Sequence, residues 1–166
     1  MSAQLQFEAA APQREPMHLA DLAAVLAIEN AVYEFPWTRG NFIDSLAAGY
    51  TAQVLRNVDG SLAGYCVALA GVQEMHLLNL SIAPAWQHRG LARGLLDGLV
   101  ADGRARDDLC LWLEVRQSNA RAREVYHRYG FVDVGWRRGY YPAAAGQRED
   151  ACVLRLALDG SRDAVD

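Results

Sequence analysis

The sequence predicts a single α+β domain in which a mixed, mostly antiparallel sheet is flanked by about four helices. Three observations support this fold class. Two helical patterns precede the first strands, three strand patterns then follow as in an antiparallel meander, and a strand that is apolar on both faces lies between two later helices. A buried strand between two helices implies a parallel crossover. The length of 166 residues is that of one domain.

The domain is expected to span residues 17–158. Residues 1–16 are rich in alanine, glutamine and proline, which favours a flexible N-terminal tail. Residues 159–166 are expected to form a flexible C-terminal tail.

Apolar periodicity and caps mark the elements of the first half. Leu22, Val25 and Ile28 form an apolar stripe at helical spacing. Thr38 follows a proline-containing break and is a suitable N-cap for the next helix. The predicted elements are helices at residues 19–32 and 39–46 and strands at 51–56, 62–70 and 75–82.

The second half is divided by a cap and a glycine. Ser118 is a suitable N-cap for a helix that ends at Gly130, because glycine suits the left-handed position after a helix. The strand at 109–115 is predicted to be central, because it is apolar on both faces. The predicted elements are helices at residues 89–104 and 118–129 and strands at 109–115, 131–138 and 149–158.

The net charge of −4 is spread unevenly along the chain. Residues 1–83 carry three arginines against eight acidic residues, whereas residues 84–138 carry ten arginines against seven. This asymmetry suits an anionic cofactor near the middle of the chain and a basic substrate near the first half. The chain contains no lysine, so chemistry that needs a lysine Schiff base or a nucleotide P-loop lysine is excluded.

Other compositional features point to a cytoplasmic protein. No apolar run reaches the length of a membrane-spanning helix, and the first residues lack the pattern of a secretory signal. The cysteines Cys66, Cys110 and Cys152 lie in apolar strand patterns, which favours buried thiols in a reducing compartment. The four histidines show no ligand spacing, so we expect no metal site.

The loop at residues 87–92 joins an apolar strand to the start of a helix. Helix N-termini bind phosphate, because they combine unpaired N–H groups with the positive end of the helix dipole. Gly90 allows the main chain to approach a ligand closely. The spacing matches neither G-x-x-x-x-G-K-[ST] nor G-x-G-x-x-G. The alternative interpretation is a glycine-capped turn that binds no ligand.

The pattern Q-x-x-G-x-A, from Gln87 to Ala92, resembles the pyrophosphate loop of the GNAT acyltransferases, which bind acetyl-CoA. The predicted order of helices and strands also resembles the GNAT fold, over about residues 17–158. The second glycine of the family loop is Ala92 here, which is a permitted variant. The resemblance implies acetyl-CoA as cosubstrate.

Two polar side chains are candidates for acyl-transfer chemistry. Glu114 ends an apolar strand. Burying a carboxylate there without a partner would cost several kcal/mol of folding free energy. It is either a general base at a cleft or a carboxylate paired with Arg116 or Arg137. Tyr126 either assists departure of a thiolate or packs as an ordinary core tyrosine.

A more specific resemblance is carried by residues 111–120, 125–131 and 138–142, with Phe35–Trp37 and residues 146 and 148–151. These segments resemble the bacterial ribosomal-protein-alanine N-acetyltransferases. The family match implies that Glu114 is the proton acceptor and Tyr126 the proton donor. Together with the loop pattern, it implies that acetyl-CoA is bound by Leu80, Ser81, Ile82, Gln87, His88, Arg89, Gly90, Leu91, Ala92, Arg93 and Asn119.

Two of these assignments have simpler alternatives. Asn119 either binds a cofactor amide or stabilises the start of its helix. The strand segment Leu80–Ile82 offers free backbone groups to a ligand only if the strand bulges; otherwise it is paired as ordinary sheet.

Five aromatic residues are predicted to lie in loops, where they form either a wall of a substrate groove or a packing plug. We favour the substrate groove, with a peptide N-terminus between two loops and its amine near Glu114. Glu29 and Glu34 either attract a basic peptide or are ordinary surface charges, and we favour surface charge. The predicted groove residues are Tyr33, Phe35, Trp37, Tyr140 and Tyr141.

The resemblance, together with these residues, implies an acetyl-CoA-dependent acetyltransferase that acts on the N-terminal alanine of a basic ribosomal protein, with no direct contact to nucleic acid or membrane. Two alternatives remain: transfer to a lysine side chain or a small amine, and a non-catalytic CoA-binding module.

Overall fold

The computed structural model describes residues 10–160. Four helices are present in this part of the chain: α1 (Leu22–Val32), α2 (Arg39–Ala47), α3 (Leu91–Ala105) and α4 (Ala120–Tyr129). The seven strands are β1 (Gln13–Pro16), β2 (Thr51–Arg56), β3 (Leu62–Ala70), β4 (Glu74–Ile82), β5 (Cys110–Arg116), β6 (Val132–Pro142) and β7 (Arg148–Ala157).

All seven strands form one sheet in the order β1-β2-β3-β4-β5-β7-β6. Only the β4–β5 pair is parallel, and α3 makes the crossover between these two strands. The other neighbours are antiparallel. The predicted mixed, mostly antiparallel sheet with four helices is therefore confirmed, and β5 is an interior strand as its two apolar faces predict.

Two hydrophobic clusters hold the helices onto the sheet. The predicted stripe of Leu22, Val25 and Ile28 is buried and packs α1 against the sheet together with Phe42 of α2. The second cluster unites leucines of α3 with Tyr126 of α4 and with apolar residues of β3, β4, β5 and β7. The three cysteines are buried and unbridged. Within residues 10–160, no helix is both long and apolar enough to cross a membrane.

The N-terminal part of the chain contributes a strand that the sequence analysis placed in a flexible tail. Residues Gln13–Pro16 pair antiparallel with β2, and Arg14 forms an ion pair of 3.3 Å with Asp102 of α3. The strand carries no apolar alternation, because it lies at the sheet edge and is mostly exposed. A proline is tolerated at such an edge. Residues 1–9 and 161–166 of the predicted tails lie outside the described residues.

The cap of α4 is Asn119 and not the predicted Ser118. Asn119 Oδ1 accepts a hydrogen bond of 3.1 Å from the backbone N–H of Ala122. Ser118 lies one residue earlier, where its N–H donates to Glu149 Oε1 at 2.8 Å. Both residue types are good caps, so composition alone does not choose between them. Thr38 caps α2 as predicted.

The parallel pairing of β4 with β5 ends at Leu77 and Leu113. Beyond this point β4 pairs with β3 alone, and the β3–β4 register shifts between Val67 and Ala68. The shift leaves an extra residue in β4, which is the signature of a β-bulge. Because β4 and β5 are not paired beyond Leu77 and Leu113, the sheet opens between Leu80–Ile82 of β4 and Glu114 of β5.

Candidate active site

Two cavities meet where β4 and β5 diverge. The small cavity has a volume of about 320 Å³ and lies between the α1–α2 connection, β5 and the end of β6. The large cleft has a volume of about 880 Å³ and lies between β4, the start of α3 and α4. The two cavities lie side by side, because they share five lining residues: Tyr33, Leu80, Asn119, Ala122 and Tyr126.

The start of α3 supplies one end of the large cleft. His88 and Gly90 have left-handed backbone conformations, with φ of 62° and 74°, and Gly90 is the N-cap of α3. Gln87 anchors the loop to β4, because its Nε2 donates to the carbonyl of Ile82 at 3.2 Å. A 15-residue helix begins here, and its first N–H groups lack intrahelical partners. The volume of the cleft and the free N–H groups at the helix N-terminus together fit a pyrophosphate-bearing ligand.

Most residues predicted to bind acetyl-CoA line the large cleft. Arg89 does not line it; its guanidinium lies 4.7 Å from the ring centre of Trp86 and donates to the carbonyl of Ala85. The predicted residues in the lining are Leu80, Ser81, Ile82, Gln87, His88, Gly90, Leu91, Ala92, Arg93 and Asn119.

Replacing Gly90 with alanine should destabilise the protein by about 1–2 kcal/mol, because a left-handed conformation is unfavourable for a residue with a Cβ. A steric clash is not the cause of this destabilisation, since a Cβ at Gly90 would meet no atom within 4 Å. Gly94 is the matched control: it lies inside α3 with equally open space, so Gly94→Ala should stabilise by roughly 1 kcal/mol. Urea unfolding of both variants measures the difference, and equal effects would contradict the conformational argument.

Tyr33 links α1 to the bulged segment of β4. Its hydroxyl donates to the carbonyl of Leu80 at 3.0 Å and accepts from Ser81 Oγ at 2.8 Å. Burial raises the pKa of Tyr33 to about 12. The contact orients β4 at the wall that both cavities share.

Glu114 is buried on the wall of the small cavity, with 5% of its side chain exposed. Its Oε2 lies 2.5 Å from Nε2 of His76, and its Oε1 lies 3.2 Å from Nε of Arg137. Within residues 10–160, no group hydrogen-bonds Oε1 with good geometry. Oε1 can therefore accept a hydrogen bond from a donor such as an amine.

Of the two arginines considered as partners of Glu114, only Arg137 is near it in the described structure. Arg116 instead donates to the carbonyl of Pro142 and forms an ion pair with Glu149. Its guanidinium also lies 5.4 Å from the Phe35 ring and 4.5 Å from the Tyr141 ring. Arg116 therefore connects the α1–α2 connection to the end of β6 and the start of β7.

Tyr126 lies on α4 at the junction of the cavities and is 9% exposed. Its ring packs edge-on against Phe131, with the ring centres 5.5 Å apart. Burial raises the pKa of Tyr126 above the ordinary range of a phenol. The hydroxyl therefore stays protonated at neutral pH and is a hydrogen-bond donor.

The folded protein should lose stability as the pH rises above about 10, the pKa of a tyrosine in an unfolded chain. The pKa values of Tyr33 and Tyr126 are raised in the folded state, so the unfolded chain ionises first and is favoured at alkaline pH. Urea unfolding between pH 8 and 11 measures the decline. Tyr126→Phe removes one ionising group and should make the decline less steep; an unchanged slope would contradict this account.

Glu29 is buried, which corrects the interpretation of this residue as an ordinary surface charge. Only 1% of the residue is exposed. Its Oε2 accepts hydrogen bonds from the Tyr65 hydroxyl and from Asn79 Nδ2, and its Oε1 accepts from the backbone N–H of Trp37 at 2.7 Å. The carboxylate ties the α1–α2 connection to β3 and β4, and it lines the small cavity.

Glu29→Gln should reduce the free energy of unfolding by about 1–3 kcal/mol, because an amide nitrogen replaces an acceptor and leaves a buried donor unpaired. The exposed Glu34, five residues on, provides a matched control. Glu34→Gln should change stability by less than about 0.5 kcal/mol. Thermal or urea unfolding distinguishes the two, and a loss at Glu34 equal to that at Glu29 would contradict the role of burial.

The aromatic residues predicted to form a substrate groove divide into two groups. Tyr140 and Tyr141 lie in β6 and not in a loop as predicted, because this strand continues to Pro142 and pairs with β7 there. Tyr33, Phe35, Trp37 and Tyr141 line the small cavity. Tyr140 is outside the lining; it packs edge-on against Tyr141, and the Arg137 guanidinium lies 5.3 Å from its ring centre.

His76 is the functional candidate that the sequence analysis missed. It lies on β4, and the parallel register places it opposite Trp112 of β5. The signal was a histidine inside an apolar strand pattern, but its partner becomes visible only once the β4–β5 register is known. Among residues 10–160, no group of three or more histidine, cysteine or acidic side chains is arranged to hold a metal.

Comparisons with known proteins agree with this geometry. A model of the acetyltransferase (GNAT) family matches residues 22–131. The [ribosomal protein bS18]-alanine N-acetyltransferase of Escherichia coli K12 is 35% identical over 143 residues, which cover 86% of this chain and 95% of that protein. The corresponding enzyme of Haemophilus ducreyi is 35% identical over 138 residues, covering 83% of this chain and 94% of that one.

The crystal structure of the ribosomal-protein-S18-alanine N-acetyltransferase from Escherichia coli has a TM-score of 0.81 with this chain at 32% identity, covering 93% of this chain and 98% of that one. The fold is that of an acyltransferase. The chain belongs to the acetyltransferase (GNAT) family, whose members use acetyl-CoA as acyl donor.

Proposed function

We propose that this protein acetylates the N-terminal α-amine of a ribosomal protein whose first residue is alanine. The observation that carries the proposal is Glu114, a buried carboxylate on the wall of a small cavity that opens onto the large cleft at Tyr126 and Leu80. The small cavity then takes the acceptor amine, and the large cleft takes acetyl-CoA. The names of the relatives at 35% identity support this choice of acceptor.

In the proposed mechanism, Glu114 takes a proton from the acceptor ammonium, directly or through a water. The free amine then attacks the thioester, while backbone N–H groups in the Leu80–Ile82 segment of β4, which is not paired with β5, polarise the carbonyl. The Tyr126 hydroxyl donates a hydrogen bond to the departing sulfur, and the thiolate takes up the second proton, which the attacking nitrogen loses as the amide forms. A raised pKa makes this hydroxyl a weak acid, which favours hydrogen bonding over early proton transfer.

The remaining predicted residues have roles consistent with this division. Gln87, His88 and residues 90–93 at the start of α3 hold the pyrophosphate. Asn119 offers its amide N–H to the donor while its Oδ1 caps α4. Phe35, Trp37 and Tyr141 contact the acceptor peptide. The acidic Glu29 and Glu34 on the same cavity suit a basic protein. We place the reaction in the cytoplasm, where ribosomal proteins are available, without nucleic acid or membrane as direct partner.

The test is free-thiol release from acetyl-CoA with an arginine-rich peptide that begins with alanine. The same peptide with a blocked N-terminus is the control, and a lysine in both peptides reports on side-chain transfer. Release with the free N-terminus alone supports the proposal. Equal release with both peptides assigns the acceptor to a side chain, and no release with either peptide or with a panel of small amines leaves a CoA-binding module.

A further inference from the structure

We propose that His76 is a positioning residue for Glu114: its Nε2–H donates to Oε2 of the carboxylate and leaves the other oxygen, Oε1, for the acceptor amine. This inference rests on Glu114 acting as the base in the function proposed above. The two atoms lie 2.5 Å apart. An ionised carboxylate only accepts hydrogen bonds, so the hydrogen of this contact belongs to Nε2. His76 is therefore a donor here and not a base.

A glutamate side chain does not fix the orientation of its own carboxylate. Rotation about its last side-chain bond is broad and roughly two-fold, so either oxygen can face a ligand. In Glu114 the His76 donor engages Oε2 alone. Nε of Arg137 lies 3.2 Å from Oε1, but no group within residues 10–160 hydrogen-bonds this oxygen with good geometry. The contact with His76 therefore selects Oε1 as the oxygen that accepts the proton.

The His76 ring is itself held in a fixed plane. It stacks on Trp112, with ring centres 3.6 Å apart and planes 10° apart. The parallel register places these two residues opposite each other, and Glu114 follows two positions later on the same face of β5. The Arg137 guanidinium also lies 5.8 Å from the centre of the Trp112 ring. The stack therefore holds Nε2 at hydrogen-bonding distance from Glu114.

His76 is placed to act through Glu114 and not on a substrate. It lies outside the lining of both cavities, whereas Glu114 lines the small one. A general base works only when its accepting atom is within hydrogen-bond reach of the proton that it removes. Loss of the His76 donor should therefore slow proton removal and leave the affinity for both substrates unchanged.

The kinetic test separates the donor from the stack by two substitutions at position 76. His76→Phe keeps an aromatic ring against Trp112 but has no donor, whereas His76→Gln keeps an N–H donor and loses the ring. We expect kcat for acetyl transfer to fall about tenfold or more in His76→Phe, as for loss of one charge-assisted hydrogen bond, with KM for both substrates within about twofold. His76→Gln should recover most of this loss.

The matched control is His127→Phe, on an exposed histidine that pairs with Asp133, and it should keep the wild-type kcat. Circular dichroism and acetyl-CoA binding establish that the variants are folded. A kcat within about twofold of wild type in His76→Phe overturns the proposal. An equal loss in His76→Phe and His76→Gln also overturns it, because the stack and not the donor would then be responsible.

A double-mutant cycle shows whether His76 works through Glu114. The base is already removed in Glu114→Gln, so adding His76→Phe to that variant should lower kcat by less than about twofold. If His76→Phe lowers kcat as much in this background as in the wild type, His76 acts independently of Glu114 and the proposal fails.

An NMR measurement does not depend on turnover. The Nε2–H signal of His76, assigned by its loss in His76→Phe, should move upfield in Glu114→Gln, because a neutral amide oxygen is a weaker acceptor than a carboxylate. The ring signals of His88 and His127 should not move. An unmoved His76 signal overturns the hydrogen bond. Wild-type turnover of the free-amine peptide reports on the proposed function alone, so the two proposals can fail separately.

Discussion

Glu114→Gln is expected to reduce kcat for acetyl transfer by about 10²–10⁴-fold, the range for loss of a positioned general base. The substitution preserves shape but removes the basic oxygen on the small-cavity wall. The large cleft is left intact, so the affinity for acetyl-CoA should stay within about twofold, as measured by calorimetry. Thiol release under saturating substrates gives kcat.

The pH dependence of this variant distinguishes proton removal from a structural effect. An α-amine has a pKa near 8, so the free amine accumulates as the pH rises through about 8, and the variant should then regain part of its rate. Glu74→Gln is the matched control, since this exposed residue lies on the neighbouring strand and lines neither cavity. A Glu114→Gln rate equal to that of Glu74→Gln would contradict the assignment of the base.

Tyr126→Phe is expected to lower kcat by about 10–100-fold, which corresponds to loss of one strong hydrogen bond in the transition state. The ring stays in place, because its packing against Phe131 does not use the hydroxyl. Affinity for acetyl-CoA and the free energy of unfolding at pH 7 should therefore change little.

The leaving group provides the check on Tyr126. A more acidic thiol is a better leaving group and needs less assistance from a hydrogen-bond donor. The difference in kcat between Tyr126→Phe and wild type should therefore be smaller with a thioester of such a thiol. Tyr50→Phe, a tyrosine that lines neither cavity, should match wild type with both donors. A constant deficit across donors would mean that Tyr126 acts only in binding or packing.

Much of the fold could be predicted because each element carried its own local signal. The stripe through Leu22 and Val25 predicted α1, and the two apolar faces of β5 predicted an interior strand, since burial imposes these periodicities directly. β1 was not predictable in this way. It is held by main-chain pairing at an edge and by Arg14, and neither of these leaves an apolar pattern.

The candidate site was predictable to the extent that its residues follow one another in the chain. The loop from Gln87 and the pair of Glu114 and Tyr126 belong to contiguous segments with recognisable patterns, and the structure brings them to two joined cavities. His76 and Glu29 depend on contacts between residues far apart in sequence. The register between two parallel strands and the burial of one face of a helix are tertiary properties. No local sequence pattern could therefore reveal the contacts of His76 or of Glu29.

The two cavities are lined for the most part by different segments of the chain. The large cleft is lined mainly by β4, α3 and α4, whereas the outer wall of the small cavity comes from the α1–α2 connection and the end of β6. Connections tolerate substitution and insertion far better than paired strands do. Under the proposed function, acceptor preference can thus diverge by changes at Phe35 or Trp37, while the residues of β4, α3 and α4 that line the large cleft stay unchanged.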